Sequence, residues 1–452
     1  MHNAIKPTVI AAAIACAAIA SQASFAGDAS SARQRAASVT ERRPVGAFSA
    51  IELSGPYDVV IRAQSAPGLA LSGERKQLDE IETFVRGDTL VVRPLERRGF
   101  HFGFNDKRQT VAIEIGAAAL KSLKMGGSGD VDLRQLDAED FAIVNSGPGD
   151  LRADGSARRL AMRSSGSGDS RLQGLKTGDV ELALSGPGDV ELGPLAGALK
   201  VQASGSGDLE ARQLRATRIE ARLSGPGSLK LAGDSRALQL ESSGSGDFEG
   251  CSLQVEQARS IQQGPGNACI GGRLRVLEAE VNGSGDLEAR GLQAETVRLS
   301  LSGPGNARLA GAVASLDARA SGSGDLEADE LAVRKAVLRG SGPGAIALAR
   351  VSESLDAELH GSGGLAASLA ARSLLLRMDG PGDARLDGRV ERIDARLAGS
   401  GSLLGRRLDA ASADIQVRGL GTAAVHLVGA QADGARAGLL LVDRSGSRRS
   451  GE

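Results

Sequence analysis

Gly205-Ser206-Gly207-Asp208-Leu209-Glu210-Ala211-Arg212-Gln213-Leu214-Arg215-Ala216-Thr217-Arg218-Ile219-Glu220-Ala221-Arg222-Leu223 is one copy of the unit that decides the fold. Apolar Leu209 and Ala211 alternate with Asp208, Glu210 and Arg212; Ile219, Ala221 and Leu223 alternate with Arg218, Glu220 and Arg222. Successive side chains of a strand point to opposite faces, so a period of two means extended chain with one buried and one solvated face. Leu214 adds an inward residue between the two runs, and Leu136, Leu175, Leu253, Leu292 and Leu331 take its place in other copies. The glycine triplet rules out a helix, where each interior Gly costs about 1 kcal/mol and each Pro about 3. Between strands the same triplet is a corner: Gly permits positive φ and close approach of backbones, and Pro presets its own φ for a turn.

Outward from this copy the triplet recurs, its first glycine at Gly127, Gly147, Gly166, Gly186, Gly205, Gly225, Gly244, Gly264, Gly283, Gly303, Gly322, Gly342, Gly361, Gly380 and Gly399, with a decayed copy at Gly419. Each interval is 19 or 20 residues, and the central residue alternates Ser and Pro from Ser128 and Pro148 to Pro381 and Ser400, so the duplicated unit is two copies long. Such regularity marks a solenoid in which each copy is buried by its neighbours. The predicted fold is all-β: a single-stranded parallel β-helix of about 19–20 residues per rung, right-handed by the general handedness of parallel strand connections. Sixteen rungs stacked about 4.8 Å apart make a rod of roughly 75 Å.

Composition agrees with a narrow aliphatic core. There are 62 Gly, 8 Phe, no Trp and a single Tyr, Tyr57, too few rings for a conventional large core. A net charge of -1 and the lack of Lys/Arg runs argue against a nucleic-acid partner.

The first residues read as an address. Met1 to Lys6 is short and basic, Thr8 to Ala20 is apolar, and Ser24-Phe25-Ala26 has small residues where a signal peptidase cuts, so export with cleavage after Ala26 is expected. An uncleaved anchor and lipid attachment at Cys16 are the alternatives; the leucine usual three residues before such a cysteine is missing. No later stretch has the roughly 18 apolar residues of a membrane-spanning helix. The predicted segments are 1–26 signal peptide, 27–44 flexible leader, 45–126 irregular β-helix and cap, 127–424 regular repeats, 425–442 C-terminal cap and 443–452 disordered tail.

Phe48-Ser49-Ala50-Ile51-Glu52-Leu53-Ser54-Gly55-Pro56-Tyr57-Asp58-Val59, then Gly87-Asp88-Thr89-Leu90-Val91-Val92 and the Gly-Ser-Gly-Asp-Val series from Gly127, resemble the head GIN-domain family. The similarity is clearest over residues 45 to 220. It implies a β-helical head domain of an autotransporter-type adhesin, with no established enzymatic activity. One departure is that the C-terminal segment lacks the ten-residue alternating strands of an outer-membrane barrel.

Four constellations of residues bear on chemistry. Asp130, Asp150, Asp169, Asp189, Asp208, Asp247, Asp286, Asp325 and Asp383 follow their triplets. A calcium ladder is one reading. Asn267, Asn306, Ser228 and Ser402 at equivalent places accept a hydrogen bond but lack the charge, which favours turn capping and no metal. Catalysis has poor material, since His2, His101, His360 and His426 are scattered, and neither catalytic residues nor cofactors are assigned. Cys251 and Cys269 lie on consecutive copies, diagonally offset by about 8 Å between Cα atoms in an ideal stack. That is just beyond disulfide range, whereas an oxidising compartment would favour the bond, so both states stay open. Phe100, Phe102 and Phe104 alternate in a basic segment, either as a cap on the first rung or as a partner contact. The function expected is an exported, non-catalytic adhesin or interaction scaffold of the periplasm or cell surface, binding an unidentified protein or glycan. The alternative is an envelope polysaccharide-processing enzyme.

Overall fold

The computed structural model describes residues 38–95, 110–428 and 438–450. The protein is 68% strand and 1% helix, wound into a β-solenoid of about 15 turns whose strands run mostly parallel. The strand Leu209–Leu223 lies between Val190–Leu192 and Ala198–Ala203 on one side and Leu229–Ser242 on the other. Equivalent residues meet across the stack: Leu209 faces Leu229, Ile219 faces Leu238 and Ala221 faces Leu240, all of them buried. Each inward side chain is therefore covered by those of the turns before and after it, and the apolar interior runs on as one cluster. This is how a chain with few rings still removes its aliphatic surface from water.

The alternation of 20- and 19-residue intervals between Gly127 and Gly361 has a geometric cause. Gly205 to Gly225 spans 20 residues and Gly225 to Gly244 spans 19. Between these turns the pairing offset is 20 at Leu209↔Leu229 and drops to 19 at Leu214↔Gly233, across a register shift between Ala211 and Leu214. The longer copy accommodates its extra residue as a bulge. Opposite it Gly233 adopts a φ of +126°, and a Cβ there would lie 2.2 Å from the Leu214 carbonyl oxygen. The pairs Leu136/Gly155 and Leu292/Gly311 repeat the arrangement.

Positive φ thus belongs to the second corner and not to the triplets, whose glycines all lie outside the left-handed range. Their requirement is proximity alone: a Cβ on Gly147 would stand 2.1 Å from the carbonyl oxygen of Gly127 in the preceding turn. Of the two properties of glycine expected to serve the triplet corner, close approach is the one used there, and positive φ is not.

Both ends are more structured than expected. Val39–Arg43, placed in the flexible leader, is a strand antiparallel to Gly68–Gly73. The Arg43 guanidinium anchors it, donating to the carbonyls of Ile81 at 2.6 Å and Leu78 at 2.8 Å and to Thr83 Oγ1 at 3.1 Å. Polar composition hid this pairing because its partner strand lies well downstream. Ala50–Leu53 runs parallel between Thr89–Pro94 and Ser122–Met125. Two further antiparallel contacts, Gly68–Gly73 with Val111–Ala117 and Ile81–Arg86 with Thr89–Pro94, make this first stretch irregular.

At the far end Ala423–Leu427 closes on Leu403–Val417 and then pairs antiparallel with Gly438–Asp443. Gly446–Ser450, expected to be disordered, completes a hairpin with Gly438–Asp443. Asp443 Oδ1 makes that tight turn possible by accepting the Ser445 N–H at 2.8 Å. The expected signal segment, Cys16 and the Phe100–Phe102–Phe104 segment lie outside the described residues. Among the described residues no helix is long and apolar enough to cross a membrane.

Candidate interaction surface

Because parity sends every second side chain outward, like positions form columns along the outside of the coil. Charges in these columns complement one another from turn to turn. Arg222 Nε meets Glu241 Oε2 at 2.8 Å, Lys200 Nζ meets Glu181 at 2.7 Å, and Arg298 and Arg377 meet Glu278 and Glu358 at 2.8 Å each. Exposed pairs of this kind contribute only about 0–1 kcal/mol each, so the columns matter more as a patterned surface than as a source of stability.

The nine aspartates that follow the triplets form the most regular column. Asp130 Oδ1 accepts the backbone N–H of Asp150 at 2.9 Å, Asp150 that of Asp169 at 3.0 Å, Asp169 that of Asp189 at 3.1 Å and Asp189 that of Asp208 at 2.8 Å. Asp247, Asp286, Asp325 and Asp383 bond in the same way to Asn267, Asn306, Ala345 and Ser402. The donor is the same position of the next turn, so the bond joins turns and does not close a corner within one. Ser228, Asn267, Asn306 and Ser402 take the acceptor role in their own turns. Burial pushes the Asp150 carboxyl up, but the Asp169 N–H and the Arg171 guanidinium together hold it below the ordinary carboxylate value.

A second column lies immediately before the triplets and went unnoticed in the sequence. Ser165, Ser185, Ser204, Ser224 and Ser243 are exposed residues at one place on successive turns. The hydroxyls of Ser185, Ser204, Ser224 and Ser243 donate to the carbonyls of Ser164, Leu184, Ala203 and Leu223 at 3.4–3.5 Å, which leaves their oxygen lone pairs to accept from a ligand. They could have been found by aligning copies on the first glycine. Ser204, Ser224 and Ser243 line a shallow groove of about 540 Å³ with Gln202, Arg222, Glu241 and Gln263. The hydrogen bond from Arg222, aided by Gln239, holds the Glu241 carboxyl below its ordinary value, so this wall of the groove carries a fixed pair of opposite charges. The groove offers hydroxyls, amides and one ion pair, spaced by the turn repeat. That set can hydrogen-bond a polar, repetitive ligand.

Cys251 and Cys269 are joined by a disulfide, with Cα atoms 5.1 Å apart. The offset of about 8 Å expected for an ideal stack is not kept. Cys251 has left the strand Phe248–Gly250 and sits in a turn with Ser252, which swings it toward its partner. Glu288, in register with Cys269 on the next turn, is a neighbour the sequence reading missed. Its signal was available, since it stands five residues after Gly283 as Cys269 does after Gly264. His360 and His426 have separate partners, Asp379 at 3.1 Å and Asp409 at 2.8 Å.

The family model described as "Putative auto-transporter adhesin, head GIN domain" matches residues 47–196, 195–276, 271–368 and 359–435. No curated protein sequence matches the chain. Among solved structures, a "putative lipid binding protein" from Parabacteroides distasonis is 18% identical over 64% of this chain and 96% of its own, with a TM-score of 0.31. A "putative adhesin" from the same organism is 15% identical over 65% and 97%, with a TM-score of 0.32. Another "putative adhesin", from Bacteroides fragilis, is 17% identical over 64% and 96%, with a TM-score of 0.24.

Proposed function

The chain belongs to the head GIN-domain family, and from that premise we propose that it is a non-catalytic adhesin or interaction scaffold, exported to the cell envelope, whose stacked polar columns bind a glycan or protein. The observation that carries this reading is the groove from Gln202 to Gln263, in which Ser204, Ser224 and Ser243 repeat along the stack beside the Arg222–Glu241 pair. Turns about 4.8 Å apart suit a ligand that is itself periodic, and several weak contacts then add through high effective concentration. Export rests on the basic, apolar and small-residue order of residues 1–26.

The test is binding of the purified mature chain to a glycan array and to envelope extract, beside a variant carrying Arg222→Ala and Glu241→Ala. The expected result is at least a tenfold loss of binding in the variant with an unchanged circular-dichroism spectrum. Release of reducing ends or unsaturated products from any glycan would overturn the non-catalytic reading, and retention of the chain in the cytoplasmic fraction would overturn export.

A further inference from the structure

We infer that Cys251, Cys269 and Glu288 form a zinc site when their disulfide is reduced, so that the same two sulfurs act either as a covalent staple between turns or as metal ligands. The two sulfurs and a Glu288 carboxylate oxygen lie within 4.8 Å of one another, and all three residues are half-buried. Backbone register builds the cluster. Cys269 stands between Glu249 of the preceding turn and Glu288 of the following one, and the turn at Cys251 carries the second sulfur to the same spot.

The surroundings favour a cation. A cleft of about 290 Å³ beside the cluster is lined by Asp247, Glu249, Asp286, Glu288 and Glu327 with Arg308 as the one basic lining residue, while Lys230 pairs with Glu249 at 3.1 Å. Arg308 is already paired with Glu327, at 2.8 Å through its Nε. Glu288 is held by Arg290 Nε at 2.6 Å, an exposed contact that a metal can displace at little cost. Two thiolates and a carboxylate, with a fourth position open to the cleft, are a zinc ligand set; thiolates select this ion over magnesium and calcium.

The chemistry balances with a small dithiol as reductant. Thiol–disulfide exchange breaks the Cys251–Cys269 bond, leaves two protein thiols and converts the dithiol to its cyclic disulfide. Zinc then replaces the two thiol protons, which are released to solvent.

The test uses the full mature chain, reduced with a dithiol, freed of it by anaerobic gel filtration and titrated with Co2+ followed by Zn2+. One equivalent of Co2+ is expected to give a thiolate-to-cobalt charge-transfer band in the near ultraviolet that Zn2+ abolishes, while the unreduced chain gives none. Glu288→Gln is expected to weaken binding at least tenfold and to leave the melting of the oxidised chain unchanged. A reduced chain with native circular dichroism but no such band would overturn the inference. So would collapse of the spectrum on reduction, because the site needs its turns in register, and equal affinity in Glu288→Gln would remove Glu288 from the site.

Discussion

Asp208 Oδ1 accepts the backbone N–H of Ser228, the residue at the same place one turn further along, at 2.7 Å. This bond recurs without a break from Asp130 to Ala345, is interrupted where Ala345 and Gly364 offer no side-chain acceptor, and resumes from Asp383 to Ser402. The acceptor oxygen matters here, and the charge does not, because Asn267 and Asn306 fill the same role. Asp208→Ala is therefore expected to cost about 1–2 kcal/mol in urea unfolding and Asp208→Asn less than about 0.5 kcal/mol. Equal losses from the two substitutions would mean that charge, not the bond, is what the column supplies.

The triplet glycines are expected to tolerate no side chain. A Cβ on Gly225 would sit 2.2 Å from the Gly205 carbonyl oxygen, with backbone on every near side. Gly225→Ala should cost roughly 2–4 kcal/mol, as overpacking against rigid backbone does. Gly364 is the internal control: its nearest such contact is 3.4 Å, and Gly364→Ala should melt within about 1 °C of the parent.

Acid should loosen the coil through carboxylates that folding holds below their usual values. In Glu241 the cause is first the hydrogen bond from Arg222; in Asp150 the Asp169 N–H and Arg171 outweigh the opposing effect of burial. A depressed folded value means that the contribution is complete above the unfolded value of about 4 and is lost as pH falls through the folded one. Melting temperature measured from pH 6 to 2 should therefore drop in the acid limb, less steeply in Glu241→Gln. Parallel curves for the two proteins would show that Glu241 takes no part.

Ser260 is one of several buried polar side chains that work against the core, with Ser164 and Ser170 among the others. Ser260 is 1% exposed, stacks between Leu240 and Ala279, and its hydroxyl has no protein partner among the described residues. Ser260→Ala removes that burden without adding volume and should stabilise by about 1 kcal/mol. A destabilised variant would show that the hydroxyl is satisfied in solution.

Much of this was legible before any coordinates. Leu209, Ala211, Ile219 and Leu223 were assigned inward by parity alone, and all are buried. Asp208 was recognised as an acceptor, though its donor was placed in its own turn instead of at Ser228. Val39–Arg43 and Gly446–Ser450 were missed because a polar edge strand has little apolar pattern, and its pairing depends on a partner that local sequence does not reveal. The serine groove escaped notice because exposed hydroxyls carry no periodicity in hydrophobicity; only alignment of the copies displays them.

By itself the sequence determined the parallel stack, since alternation within a copy sets which side chains face in, and a near-constant interval between copies sets what lies above what. Both are properties of order along the chain. Only the tertiary structure decided the matters that depend on distance between turns: why the triplets are glycine, which N–H each Asp receives, how a turn at Cys251 brings its Cα to 5.1 Å from that of Cys269, and that Glu288 joins them. A shift of one residue at a bulge, or one bent corner, moves such groups by several ångströms, and that displacement is invisible to counting.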